Sequence, residues 1–550
     1  MNREGTQNSA AAIDALDYTP TMPAAVDWLC QTYAESPMIL ERDASATYAQ
    51  LAEKSAHLAK ALLANGVGKG TRVALLFPNG VDFVATFLAI TRIGALAVPV
   101  NTFCKTRELI WQLRHSDAQM LITVDQFLQN DYVERLDEGI ADWSINRTDE
   151  LFAAEVPYLR RILVRSTEHW PGYVNDLEEF MNSGAGISDA HLAAIEASVA
   201  PSDLLVVLYT SGSSADPKGV VHTHNTVLRR ATSLGNLTGI GPGEVVFSPS
   251  PYFWTGGFVN GLMVTFLKGG ALITQPRFEA GPTLEQFEKH KVTIATGWPH
   301  FADSMKEHPD FAKRDLSSLR DGNLTPLLLG LEGSDDPGLI ATGIGMTESC
   351  AQHTYGQVEF LPESLRGAYG TPAPGVEQII VDVDTGEELP EGQEGELCIR
   401  GYSVMQGYYK NVREEAFRPD GYFPTGDLGI IKGGYYFFRG RKGDMVKTSG
   451  ANVSPEEVRN AALAVDGIAE CFVSGLPDPK KGQIVGAAIV LNPGISMDEE
   501  LLRQELRKTL SSFKVPKAFV FLQAGNVPML ATAKVDRRAL LDMLLAQVTS

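Results

Sequence analysis

Cysteine is scarce in this chain. There are five in 550 residues, Cys30, Cys104, Cys350, Cys398 and Cys471, lying far apart with no CxxC pair and an odd count. They read as reduced thiols in a cytoplasmic protein rather than as a disulfide framework. Basic residues are also few: 47 Lys and Arg stand against 67 Asp and Glu, a formal charge of −20. That balance excludes general adhesion to nucleic acid or anionic lipid, so any anionic ligand must be met by locally placed donors. No apolar run of bilayer length is uninterrupted. The best candidate, Val245 to Leu267, carries no charge but is broken by Pro249, Pro251, Gly256, Gly257, Asn260 and Gly261, and reads as buried core and pocket wall. The start, MNREGTQNSAAAIDALDYTP, lacks a basic residue cluster followed by an apolar stretch and reads as a loose leader over residues 1–24. Internal repeats and low-complexity segments are absent as well.

What is present is an α/β pattern long enough for two to four compact units at roughly 150 residues each. From Thr47 to Val98 the order is helix, strand, helix, strand: AQLAEKSAHLAKALLANG, RVALLFPN, VDFVATFLAITRIG, ALAVPV. Such alternation predicts βαβ units and a mainly parallel sheet. The same alternation recurs around LLVVLYT, GGALITQP and KVTIATG. After Gly367 short strands and turns take over, as in VEQIIVDVDTGEELPEGQEGELCIRG, predicting a β-rich subdomain that completes the large domain. Small and charged residues in FRGRKGDMVKTSG mark a second boundary, beyond which the pattern predicts a small α+β unit. The expected domains are residues 25–440 and 441–550.

One loop concentrates chemistry. YTSGSSADPKGV, residues 209 to 220, follows the apolar run LLVVL and packs hydroxyls, glycines and a lysine together. Backbone N–H groups and hydroxyls at the end of a strand suit phosphate oxygens, and Lys218 can add a point charge. It is not a Walker A loop, because Pro217 precedes Lys218 and Gly219 follows it, where GxxxxGK[ST] is needed.

With this loop the chain resembles the adenylate-forming superfamily, in its acyl- and aryl-CoA synthetase branch. TSGSSADPKG matches the family's phosphate loop with Ala215 in place of a glycine. PYFWTGG (251–257), GMTES (345–349), GELCIRG (395–401), YFPTGDLG (422–429), GRKGDMVKTSGANVSPEEV (440–458) and PMLATAKVDRRAL (528–540) follow in family order. The likeness runs from about residue 25 to 545. The tail segment SSFKVPKAFVFL is similar to a pattern of the CoA synthetases.

The resemblance implies a large domain and a small mobile domain acting on ATP, Mg²⁺, CoA and a carboxylic acid. Thr210, Ser211, Gly212, Ser213, Ser214 and Lys218 would cradle pyrophosphate. Gly345 and Met346 would line the nucleotide, Thr347 would aim its hydroxyl at the α-phosphate, and Glu348 would hold Mg²⁺. Asp427 would accept from the ribose hydroxyls beside Arg441, and Lys534 would bridge the acyl carboxylate and α-phosphate. Rotation at a hinge that here carries Gly443 would then open a thiol path past Gly450. Phe253, Trp254, Gly257, Phe258 and Trp298 are candidate acyl-pocket residues, with Gly256 and Gly257 leaving room.

The match also departs. A Gly-Gly-Ala-Pro-like segment before GMTE is missing, Ile344 stands where an aromatic belongs, and Gly443 and Ala533 replace the usual hinge and pre-lysine residues. The implied activity is an ATP-dependent acid–CoA ligase acting on an apolar fatty, aryl or alicyclic acid. A stand-alone adenylation protein serving a carrier protein and a non-catalytic nucleotide-binding paralogue stand beside it. No carrier segment follows, and the joint presence of Lys534, Glu348, Asp427 and Arg441 weighs against lost turnover. A homodimer is common among similar proteins.

Overall fold

The computed structural model describes residues 15–141, 151–165, 175–210, 217–330, 339, 342–356, 361–442, 446–448, 451–453, 455–478, 482–510, 514–530 and 535–549. Contacts divide the chain into two units. The first holds the chain through His353 with Ala373–Val376 and Gly401–Ala416, and the second holds Thr354–Pro372, Glu377–Arg400 and everything from Phe417 onward.

An eight-stranded sheet organises the first unit. Its order is Gly407–Tyr408, Lys218–Thr223, Leu204–Thr210, Leu96–Pro99, Arg72–Leu76, Met120–Val124, Arg161–Arg165 and Asn175–Asp176. From Leu204–Thr210 outward to the last of these the neighbours are parallel, whereas the two strands at the other edge pair antiparallel. The central strands are near-continuous apolar runs because both faces are covered. Val73 and Leu75 enter one core and Ala74 and Leu76 the other, the two-residue period of a strand. The expected βαβ order is present as the helices Tyr48–Ala64 and Val81–Arg92 alternating with Arg72–Leu76 and Leu96–Pro99. The first helix starts at a capping box, with Thr47 Oγ1 accepting from the Gln50 N–H (3.2 Å) and Gln50 Oε1 from the Thr47 N–H (2.9 Å).

A second sheet in this unit orders Ile294–Ala295, Val245–Phe247, Ala271–Ile273, Pro37–Leu40 and Ser45–Thr47. The uncharged stretch Val245 to Leu267 is broken up as the sequence implies. It supplies a strand, a connecting segment, a π-helix at Gly256–Met263 and a short α-helix at Val264–Leu267. Among the described residues no helix is long and apolar enough to cross a membrane. No disulfide joins the five cysteines, and burial pushes the thiols of Cys104, Cys350, Cys398 and Cys471 up to about 12.

The second unit holds two larger sheets besides the short pair Thr354–Tyr355 with Thr371–Pro372. One orders Val376–Val381, Gly395–Gly401, Phe423–Lys432 and Tyr435–Arg441. The other is the expected α+β part, in which Gly482–Leu491 pairs antiparallel with Ile468–Asp478 and parallel with Ala518–Gln523. The β-rich stretch, expected with the large domain, groups by contacts with the C-terminal part, where the helix Pro455–Leu463 packs on the strand Tyr435–Arg441.

Candidate active site

The strands Leu204–Thr210 and Lys218–Thr223 are the two arms of the phosphate-type loop. They pair antiparallel with Thr210 opposite Lys218, so the loop's two end residues face each other. Ser211, Gly212, Ser213 and Ser214 lie outside the described residues, as do Gly443, Gly450 and Lys534. Gly219 is confined by contact, since a Cβ there would meet Val207 Cγ1 at 2.9 Å and Tyr409 Cβ at 3.2 Å.

GMTES forms a tight reversal. Gly345–Met346 pairs antiparallel with Ala351–Gln352, and Thr347–Ser349 makes a 3₁₀ turn between them. A Cβ on Gly345 would lie 2.5 Å from the Ala351 carbonyl oxygen, so glycine is required for this close pairing. The turn closes through Cys350 at φ 54° and Ala351 at φ 95°, a conformation costly for residues with side chains. The Ser349 hydroxyl ties the reversal together, donating to the Met346 and Ala351 carbonyls at 3.1 and 2.5 Å.

Three separate segments of the first unit converge on this turn. His222, on the strand after the loop, donates its Nε2–H to the Thr347 carbonyl at 2.7 Å. Burial pushes its pKa down to about 4, so the ring is a neutral, fixed donor at physiological pH. Thr255, within PYFWTGG, donates its hydroxyl to Thr347 Oγ1 at 2.9 Å. Tyr408 donates its hydroxyl to Glu348 Oε1 at 2.8 Å, while the Met405 N–H reaches the Glu348 carbonyl at 2.8 Å. Glu348 is only 8% exposed, and among the described residues Tyr408 is the only side chain that bonds its carboxylate. Lys218 Nζ lies 4.9 Å from the centre of the same tyrosine ring.

A buried carboxylate with one neutral partner still has lone pairs for a cation. No group of three or more His, Cys, Asp and Glu suited to a metal occurs among the described residues. That combination fits Mg²⁺, which is commonly held by one or two carboxylates together with substrate phosphates.

In the second unit, the motifs holding Asp427 and Arg441 become cross-strand neighbours. The two residues are Cα partners on Phe423–Lys432 and Tyr435–Arg441, and Arg441 Nε lies 2.9 Å from Asp427 Oδ1. Asp427 is 2% exposed whereas Arg441 is open to solvent. The turn before the aspartate is fixed by Thr425 Oγ1, which accepts from the Asp427 N–H at 3.0 Å and donates to the Leu397 carbonyl at 2.8 Å. Glu396 Oε1 accepts from the Gly426 N–H at 3.1 Å. Such a support presents an acceptor-only group in a fixed direction, as recognition of two hydroxyls requires.

The apolar-pocket candidates separate. Phe253 and Trp254 stay in ring contact, 5.0 Å between centroids. Phe258 is fully buried with its ring against Phe87 at 5.0 Å, which makes it core. Trp298 is 52% exposed just before the helix Pro299–Lys306. Gly256 faces open space, whereas Gly257 packs against backbone, where a Cβ would meet the Pro251 and Ser250 carbonyl oxygens at 2.2 and 2.3 Å. Ile344 is half-buried, with its carbonyl accepting the His353 N–H at 2.9 Å.

Sequence reasoning missed His222, Thr255 and Tyr408. A histidine in an otherwise apolar strand was a visible signal for the first, and the PYFWTGG segment was one for the second; nothing local pointed to Tyr408.

Comparison with known proteins identifies the family. Residues 26–409 match the AMP-binding enzyme family and residues 457–534 match the AMP-binding enzyme C-terminal domain. A 7a-methyl-1,5-dioxo-octahydroindenyl-propanoyl:CoA ligase of Mycobacterium tuberculosis is 30% identical, covering 95% of this chain and 99% of its own. Feruloyl-CoA synthase of Amycolatopsis sp is 29% identical over 89% of this chain and 92% of its own. ATP-bound MatB from Rhodopseudomonas palustris superposes with a TM-score of 0.77 at 25% identity, covering 95% of this chain and 99% of that one. With both domain matches in order and relatives aligned over nearly their full length, this chain belongs to the AMP-binding enzymes, in the adenylate-forming branch that holds the acyl-CoA ligases.

Proposed function

We propose that this protein is an ATP-dependent acid–CoA ligase that activates an apolar fatty, aryl or alicyclic monocarboxylate. The acid's carboxylate oxygen attacks the α-phosphate of ATP, pyrophosphate leaves, and the CoA thiol then displaces AMP from the acyl-adenylate to give a thioester. The observation that carries the reading is Glu348, a buried carboxylate bonded to one neutral hydroxyl and flanked by a threonine whose own hydroxyl is held by Thr255. The ring-fused and aromatic acids named for the relatives support the substrate class.

In this reading Thr210, Ser211 to Ser214 and Lys218 receive the pyrophosphate, Gly345 and Met346 line the nucleotide, and Thr347 aims at the α-phosphate. Glu348 holds Mg²⁺, which supplies charge neutralisation on the phosphates when bound. Asp427 takes the ribose hydroxyls and Arg441 stands beside it. Lys534 bridges carboxylate and α-phosphate, Gly443 serves the domain rotation, and Gly450 leaves the thiol path clear. Phe253 and Trp254, with the open space at Gly256, are the acyl-pocket wall.

An isotope experiment tests the chemistry. With a carboxylate-¹⁸O-labelled acid, ATP, Mg²⁺ and CoA, one label is expected in AMP for each thioester formed. Label in inorganic phosphate with ADP as co-product would replace the adenylate by an acyl phosphate, and no turnover with any acid of the class would remove the ligase assignment.

A further inference from the structure

Tyr408 is the one described side chain that touches both charges of the phosphate-binding apparatus. Its hydroxyl donates to Glu348 Oε1 at 2.8 Å, and its ring centroid lies 4.9 Å from Lys218 Nζ. The backbone places it there. Val220 and Val221 pair with Tyr408 and Gly407, the Tyr409 N–H reaches the Gly219 carbonyl at 2.7 Å, and the Gln406 N–H reaches the Val221 carbonyl at 2.9 Å. On its other side the Met405 N–H holds the Glu348 carbonyl at 2.8 Å, and Arg413 Nη1 donates to the Met405 and Gln406 carbonyls at 3.1 and 2.5 Å. Residues 405 to 409 thus form a strap stitched to the loop's strand along one side and to the GMTES turn along the other.

The charges themselves give the strap a task. A lysine and a nearly buried glutamate on neighbouring segments attract each other, and direct pairing would neutralise both and fill the space between them. Among the described residues neither forms an ion pair. Both instead contact the tyrosine: the exposed lysine lies over the ring face and the buried carboxylate accepts from the hydroxyl. A hydroxyl donating to Oε1 also fixes the carboxylate's rotation and leaves Oε2 free of this bond.

We propose that Tyr408 is a positioning residue, a strut that keeps Lys218 and Glu348 apart and aims the glutamate at the metal–phosphate group. The inference rests on the reading of Glu348 as the Mg²⁺-holding carboxylate. Tyr408→Phe keeps the ring and removes the hydroxyl, whereas Tyr408→Leu removes both.

The test is calorimetric binding of α,β-methylene-ATP, which cannot release pyrophosphate, to the full chain with and without Mg²⁺. Tyr408→Phe is expected to lower the affinity measured with Mg²⁺ by roughly three- to tenfold, the weight of one hydrogen bond, and to leave metal-free affinity unchanged. Tyr408→Leu is expected to weaken both, because the lysine loses its seat as well. Thermal midpoints of both variants separate a folding defect from a binding one. A general packing role would weaken metal-free and metal-dependent binding alike in Tyr408→Phe, and that result overturns the proposal. Glu348→Gln keeps the two readings distinct. If Glu348→Gln loses the Mg²⁺ dependence while Tyr408→Phe retains it in full, the strut falls and the glutamate's role stands. If Glu348→Gln binds as the unaltered protein does, the metal assignment falls and the strut falls with it.

Discussion

His222 is fully buried, with its Nε2–H committed to the Thr347 carbonyl, and its pKa is pushed down to about 4 by burial. In the unfolded chain the same ring binds a proton near pH 6.5. The stability tied to keeping it neutral is therefore complete above about pH 6.5 and is lost as the pH falls toward 4. For this one residue the loss amounts to roughly 3 kcal/mol. His224 and His353 are buried in the same way, with pKa values of about 4 and about 3, and steepen the fall. Urea midpoints measured at pH 7.5 and pH 5 should show a marked drop, and His222→Gln, which keeps a donor and cannot charge, should lessen it. An unchanged drop would mean that the histidine does not stay neutral in the fold. Asp427, Arg441 and Glu348 could be singled out from the sequence as candidates because each sits inside a short contiguous motif. The partners of His222 and Tyr408 were not readable, because they are set by strand pairing between segments far apart in the chain.

At the scale of elements, the π-helix Gly256–Met263 and the GMTES reversal carry the local costs. A π-turn and two side-chain-bearing residues at positive φ are unfavourable in isolation and recur where function demands a particular backbone. The helix also separates two adjacent glycines that the sequence reading treated alike. Gly257→Ala should destabilise the fold by about 1–3 kcal/mol, because its methyl would enter the Pro251 and Ser250 carbonyls. Gly256→Ala meets open space and should leave the urea midpoint within about 0.5 kcal/mol while narrowing the range of acids accepted. Equal midpoints for the two variants would contradict the packing described for Gly257. Hydrophobic periodicity made the βαβ order and the α+β tail readable, since Val73 and Leu75 face one core and Ala74 and Leu76 the other. The grouping of the β-rich stretch with the C-terminal part depends on a helix packing on a strand's face, which periodicity does not encode.

At the scale of the whole molecule, the proposed chemistry needs two half-reactions with different requirements. Lys534→Ala is expected to abolish adenylate formation and to spare thioester formation from supplied acyl-adenylate. Gly450→Phe is expected to do the reverse if, as proposed, this glycine borders the thiol path. Equal loss of both halves in either variant would overturn that residue's assigned role. The most direct test of the ligase reading is pyrophosphate release from ATP and Mg²⁺ across a panel of fatty, aromatic and ring-fused acids, with and without CoA. Release that depends on the acid and is accelerated by CoA is the expected result, and silence across the panel would contradict it, leaving a protein that keeps the fold and its buried carboxylate without turning over.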